Sequence, residues 1–421
     1  MKTTKRESEK VKLAVLTSHP IQYQIPIWRE IHRQGIDFQA LFLTRHGLDD
    51  SVDRDFGKHF SWDIDLLSGY NHDFIKLRKP IDLDRFRGID FEEEFALRLK
   101  SSNTQVLWIE GWRFKAMWDA VGIAKRCGLQ VWMRGESNCL KKSSLIKQSI
   151  KRILLGRHLS KVDKFLCIGK ENRRLYQSYG ISDSKLYDAP YCVDNDRFIA
   201  QSDTFRPDRD AIRKRWGIDA SANVVLFCGK FVEKKHPEHV LKAVSQIVKT
   251  QLPGERWHIL FVGSGPMGSE LKRNCNVVLD LDAGNSSEEQ NVSDLPRTVN
   301  ASFVGFLNQS EIAKAYVAAD VLVLPSDAGE TWGLVVNEAM SCGTPAVTSD
   351  LVGCCRDLPA QLNSSAIYPF GNTERLASSI RDVVRAALTV DQVREMVSHF
   401  HVRHTVDSVQ KMLKSLPEQA A

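Results

Sequence analysis

Short apolar runs rich in β-branched residues alternate along the chain with longer stretches whose apolar positions recur every three to four residues. A parallel sheet joined by crossover helices requires that alternation. Strands are predicted over residues 11–17, 38–43, 106–109, 130–133 and 164–168. Helical spacing follows several of them, over 25–34 ahead of Gly35, 114–126 ahead of Gly128 and 171–179 ahead of Gly180. These elements make one doubly wound unit.

The pattern breaks near residues 194–198, and the polar stretch 201–209 reads as a linker or as the loop ahead of a helix over 210–216. Alternation then restarts, with strands over 224–227, 258–262, 302–304 and 321–324 and helices over 237–249 and 311–318. Two Rossmann-like units result, over 1–200 and 201–390. Val393, Met396, Val397 and Phe400 keep helical spacing, so the tail 391–421 is expected to pack back toward the first unit. Residues 272–300, rich in Asn, Ser and Asp, exceed an ordinary connection and read as a surface insertion.

Length supports that division, since 421 residues exceed what one core ordinarily organises. With 43% hydrophobic and 26% charged residues the chain is globular. No apolar run approaches the roughly 18 residues of a membrane span, and the polar first ten residues lack the apolar core of a secretory signal. A cytoplasmic protein is therefore expected. Nine scattered cysteines without a Cys-x-x-Cys pair suggest neither a zinc site nor a disulfide framework, and the adjacent Cys354 and Cys355 read as loop residues. The twelve histidines show no ligand-like spacing and no Asp-x-Asp metal site is expected, so neither metal nor cofactor is called for. A net charge of +6 and a pI of 8.7 fit an anionic substrate or an acidic membrane surface, and no nucleic-acid partner is expected.

Chemistry concentrates in the second unit. Glu330 lies in the loop after the strand over 321–324, and Glu338 lies about two turns along the helix that closes at Gly343. The backbone N–H groups between them sit near a helix N-terminus, which favours a phosphate, and a carboxylate can accept from two neighbouring hydroxyls. A nucleotide sugar has sugar rings on either side of its phosphates. The same spacing also fits a solvated helix face. Earlier in the unit, Gly229-Lys230-Phe231-Val232-Glu233-Lys234-Lys235-His236-Pro237 leads from a strand into a helix, and Lys230 and Lys235 can reach both phosphates of a diphosphate. Solvated turn lysines are the alternative. Phe261-Val262-Gly263-Ser264-Gly265-Pro266 follows the next strand. All three motifs stand at strand carboxyl ends, where open parallel sheets bind ligands.

Glu330 followed by Gly333-Leu334 and then Glu338, together with the Gly-basic turn and the Val-Gly-x-Gly-Pro turn, resembles glycosyltransferase family 4. The resemblance is specific from about Gly229 to Gly343. It implies an α/β protein of GT-B architecture, two Rossmann-like doubly wound domains facing a central cleft, acting as a retaining glycosyltransferase. It implies that Glu338 holds the ribose diol, that Lys230 and Lys235 hold the diphosphate, and that Glu330 and the backbone of Trp332, Gly333 and Leu334 cradle the transferred sugar and phosphate. Gly229, Gly263 and Gly265 would admit the donor against the backbone. Lys230 stands where the family usually has arginine, trading a bidentate fork for a point charge. The donor would be a UDP-, GDP- or ADP-sugar, and the acceptor a carbohydrate or a lipid-linked surface-polysaccharide precursor. A non-catalytic nucleotide-sugar-binding subunit and a GT-B-fold sugar-nucleotide epimerase fit many of the same residues; the complete set of acids and lysines favours transfer.

The first unit departs from the family. Where a glycine pair is common it reads Ser18-His19-Pro20-Ile21-Gln22-Tyr23-Gln24, which makes His19 and Gln22 acceptor-side candidates by position, or else a plain loop at a helix start. The family's histidine near the donor sugar is missing, so its hydrogen bond comes from Glu110, Arg134 or Glu136 or is absent. Between residues 138 and 162 no acid occurs, while Lys141, Lys142, Lys147, Lys151, Arg152, Arg157 and Lys161 are basic and Ile146, Ile150, Ile153 and Leu154 keep helical spacing. That pattern fits a basic amphipathic helix over 141–157 lying on an anionic membrane, peripheral at its inner face, or a helix packing its apolar face on the sheet.

Overall fold

The computed structural model describes residues 12–48, 51–53, 58–60, 62–78, 85–87, 90–91, 94–141, 144–282 and 299–416. The first sheet is built from Lys12–Thr17 (β1), Phe38–Phe42 (β2), His72–Phe74 (β3), Thr104–Glu110 (β4), Gln130–Arg134 (β5), Lys164–Cys167 (β6) and Leu186–Asp188 (β7). Its order is β3-β2-β1-β4-β5-β6-β7, and every pairing is parallel. The second sheet holds Asn223–Cys228 (β8), Trp257–Val262 (β9), Asn276–Asp280 (β10), Asn300–Phe303 (β11), Val321–Leu324 (β12), Ala346–Ser349 (β13) and Ile367–Tyr368 (β14). It too is wholly parallel, in the order β10-β11-β9-β8-β12-β13-β14. The architecture is GT-B, two Rossmann-like α/β domains.

Helices cover both faces of each sheet, which is why the central strands read as unbroken apolar runs. Leu13 to Leu16 and Val224 to Phe227 are at most 2% exposed. Each sheet reverses its winding beside its first strand, between β1 and β4 in one and between β8 and β12 in the other. The carboxyl ends at those switch points open the crevices in which such sheets bind ligands.

The polar stretch 201–209 is not a linker. Asp194 caps the helix Asn195–Phe205, a 3-10 turn follows at Arg206–Asp208, and the helix Arg209–Arg215 continues directly. Its arginines carry the segment onto the second domain: Arg197 donates to the Gln309 carbonyl at 2.9 Å, Arg213 donates to the Ala318 carbonyl at 2.9 Å, and Arg206 donates to the Cys342 carbonyl. Polar composition here reflects docking through guanidinium heads rather than solvation.

After the helix Val390–Val397, the helix Val402–Lys414 returns to the first domain. Val402, Val406, Val409 and Met412 join Trp28, Phe38 and Trp108 in one core cluster. Thr405 donates to the Pro190 carbonyl at 2.8 Å. Of the expected insertion 272–300, the first part is an edge strand, β10, and residues 283–298 lie outside the described residues.

Candidate active site

The loops after β8 and β12 are tied together. Asp327 donates its backbone N–H to the Lys234 carbonyl at 3.0 Å. The 3-10 turn Glu233–Lys235 runs into the helix Pro237–Lys249, whose first residue is a proline that has no N–H to leave unsatisfied. In that frame the Lys235 ammonium meets the Glu330 carboxylate, with both side chains still 16–17% exposed to the cleft. Ser326 adds a hydroxyl 3.4 Å from the same carboxylate oxygen.

Gly333 precedes the helix Leu334–Ser341 with φ 99°, and a Cβ there would lie 2.7 Å from Leu324. Only glycine allows the loop to turn this close under β12. The helix that starts here opens directly after the loop that carries Glu330, and a helix start leaves N–H groups without intrahelical acceptors. The Trp332 ring turns away into an apolar seam. It lies 6.0 Å from Tyr191 and 5.8 Å from Phe400, and its N–H donates to Asn337 at 2.8 Å. At Gly263 a Cβ would stand 2.1 Å from the Gly229 carbonyl oxygen, so the loops after β8 and β9 pack backbone on backbone. Gly265 packs in the same way against Phe231.

Glu338 is 2% exposed. Tyr316 donates to one of its oxygens, and Tyr23 of the first domain donates to the other at 3.0 Å. Burial pushes its carboxyl above the ordinary range, and the two tyrosine hydroxyls pull it back.

Across the cleft a cavity of about 680 Å³ is lined by His19, Glu110, Trp112, Glu136, Ser137 and Thr331, among others. Arg134 lies beneath it, 1% exposed, 3.8 Å from Glu110 and with its guanidinium 4.9 Å from the Tyr191 ring centre. Burial raises the Glu110 carboxyl to about 7 against the pull of Arg134. Burial, helped by the neighbouring His46, lowers His19 to about 4, so its imidazole is neutral at physiological pH. Tyr191 donates to Glu136. Gln22 does not line this cavity. The geometry thus gathers His19, Glu110 and Glu136 around one space, sets Arg134 under it and leaves Gln22 aside.

The two halves of the cleft meet at Asn138, which donates to the Thr331 carbonyl at 3.0 Å, and at the Glu171–Arg356 ion pair at 3.1 Å. Sequence reasoning passed over Asn138, Tyr23 and Tyr316. Tyr23 stands within the run His19-Pro20-Ile21-Gln22-Tyr23, which was a visible signal; the other two carry none.

Among the described residues, His236, Glu238 and His239 bring candidate metal ligands within 4.8 Å of one another, which the histidine spacing did not lead us to expect. Their two imidazoles stack with planes 17° apart. Lone pairs in nearly parallel planes run side by side and do not converge on one ion. Asp-x-Asp pairs do occur in the chain, and among the described residues they do structural work: Asp65 accepts from Leu67 and Ser68, Asp194 caps a helix, and Asp280 pairs with Lys272 at 2.8 Å.

Residues 208–397 match the family model described as glycosyl transferases group 1. A D-inositol 3-phosphate glycosyltransferase of Saccharomonospora viridis is 31% identical over 235 residues, covering 53% of this chain and 51% of that protein. The protein of the same name from Geodermatophilus obscurus is 31% identical over 254 residues, covering 60% and 52%. The chain spans about half the length of the curated relatives it matches. Over 96% of its length it shares the fold of a Rickettsia africae glycosyltransferase, with a TM-score of 0.65, 12% identity and 98% of that chain covered. It also shares the fold of the Anabaena HepE protein solved with UDP and glucose, with a TM-score of 0.62, 13% identity, and 96% and 100% of the two chains covered. The fold is therefore that of GT-B glycosyltransferases, and the segment carrying Lys235, Glu330 and Glu338 is similar to glycosyl transferases group 1.

Proposed function

We propose that the chain is a retaining glycosyltransferase of the family 4 kind, which holds a nucleotide-sugar donor on the second domain and an acceptor in the cavity of the first. The observation that carries this reading is the Lys235–Glu330 pair in the loops after β8 and β12, with Glu338 on the helix that follows, opposite a cavity that contains neutral His19 and buried Glu110. Lys230, Lys235 and the amides opening the helix Leu334–Ser341 stabilise charge on the departing diphosphate. Glu330 steadies Lys235 and faces the sugar ring, which gains positive character as its bond to phosphate breaks. The acceptor hydroxyl attacks the anomeric carbon on the face from which the diphosphate leaves, and its proton passes to the departing phosphate oxygen. Glu338 receives the ribose hydroxyls. The names of the relatives point to a cyclic polyol as one acceptor of this class, and a UDP-sugar is the first donor to test.

The same reading includes docking on an anionic membrane. No described helix is long and apolar enough to cross a membrane. On the helix Leu145–Leu159, however, Ile153 is 70% and Leu154 61% exposed, beside exposed Lys151, Arg152 and Arg157. Packing on the sheet leaves those two apolar side chains unaccounted for. Lys142 and the side chains of Ile146, Lys147 and Ile150 lie outside the described residues.

A thermal-shift screen against UDP, GDP, ADP, CMP and their sugars tests the donor reading, because a ligand that binds the native state raises the midpoint. At least one nucleoside diphosphate and its sugar should do so. If none does, the reading fails.

A further inference from the structure

Tyr23 belongs to the first domain by sequence, yet its ring packs against the core of the second. Its hydroxyl reaches over the cleft to Glu338 Oε1 at 3.0 Å, while Tyr316 holds Oε2 from within the second domain. With both oxygens engaged and the residue 2% exposed, the carboxylate has no open face toward the cleft. A carboxylate accepts at two oxygens, and a ribose diol offers two donors in the same orientation. The diol cannot reach Glu338 while the phenol occupies that side.

We infer that Tyr23 is a stopper on the ribose site: it occupies the place of a ribose hydroxyl on Glu338, and a bound nucleotide displaces it. The inference rests on Glu338 being the ribose acceptor, as proposed above, and adds that donor affinity is set by a competition. Tyr23 lies in the loop between β1 and the helix Ile25–Arg33, where Gln24 donates its N–H to the Ile21 carbonyl at 2.8 Å. Part of the residue is exposed and it precedes the helix, so its side chain can turn out without unfolding the helix behind it. The nucleotide must therefore match a charged hydrogen bond the protein already makes with itself, and removing the phenol oxygen should leave Glu338 waiting for the diol.

Calorimetry tests this with whichever of UDP, GDP and ADP binds the wild type most tightly, alongside its 2′,3′-dideoxy form. Tyr23→Phe should tighten the ribonucleotide by about tenfold, the scale of one hydrogen bond to a charged group, and leave the dideoxy form unchanged. Tyr23→Leu, measured in parallel with its melting temperature, guards against a folding defect in either variant. If the wild type prefers the ribonucleotide but neither variant binds it more tightly, Tyr23 is not a stopper and the inference is overturned while the donor reading stands. If wild type and variants all bind the two forms equally, Glu338 is not the ribose acceptor, and the inference falls together with that assignment.

Discussion

Lys235 and Glu330, ninety-five residues apart in sequence, form an ion pair that joins the loops leaving the first strand and the neighbouring β12 of the second sheet. Each is partly open to the cleft, so the pair is placed to exchange partners when a phosphate arrives. A lysine already held beside a carboxylate loses little freedom when it turns to a diphosphate. On the proposed function, the carboxylate then stands next to the sugar that the diphosphate is leaving.

This arrangement separates binding from rate. Glu330→Gln keeps the shape of the side chain but removes the charge that the proposed function sets facing the sugar ring. It should lower kcat by roughly 10- to 100-fold while the nucleoside diphosphate Kd stays within about threefold. Steady-state kinetics and calorimetry on the same variant check it. Loss of nucleotide affinity with an unchanged rate would reverse the assignment.

Glu338 should show the opposite signature. Its worth to the ribose is clearest where Tyr23 no longer competes, so adding Glu338→Ala to Tyr23→Phe should raise the nucleoside diphosphate Kd by at least about tenfold. The change also takes the carboxylate acceptor from the buried Tyr316 hydroxyl and leaves it only the weak Cys228 sulfur at 3.9 Å, which costs roughly 1 to 3 kcal/mol of stability. An unchanged Kd in this background would remove Glu338 from the ribose site.

How far the sequence could be read depended on what each residue's pattern reports. The helix Pro237–Lys249 and the strand Val321–Leu324 match their expected bounds, because proline fixes the one start and burial on both faces makes the other a continuous apolar run. The helix Asn195–Phe205 was hidden because its polar side chains point at carbonyls of the second domain, and composition cannot tell such a partner from water. The edge strand Asn276–Asp280 was hidden for the converse reason: Val277 and Val278 are 37% and 44% exposed, and the run sits among polar residues. At the site, the motifs of the second domain were legible because local turns and strand ends carry them. The Tyr23–Glu338 contact joins residues 315 apart, and only tertiary packing brings them together.

Exposed Ile153 and Leu154 should carry membrane binding together with their basic neighbours. Wild-type protein should co-sediment with vesicles containing anionic lipid and much less with neutral ones. Binding should weaken as salt shortens the Debye length below about 8 Å. Ile153→Asp with Leu154→Asp should abolish it without lowering the melting temperature, since neither side chain is buried. Equal binding to neutral and anionic vesicles, or none to either, would return the helix to a packing role.

Glu110 gives a pH signature that requires no substrate. Burial lifts its carboxyl from the ordinary 4.5 to about 7 in the folded protein. Between those values the folded state holds a proton that the unfolded state has released, so folding loses stability from this group as pH rises, and the loss is complete above about 7. Glu110→Gln imitates the protonated carboxyl and does not titrate. The melting temperature of the variant should therefore gain on that of the wild type as pH rises from about 5 to about 8. The gap should be widest where Glu110 is fully ionised. A gap that stays constant across this range, or that closes with rising pH, would mean that Arg134 holds Glu110 ionised throughout and that the carboxylate enters the cavity as a permanent charge.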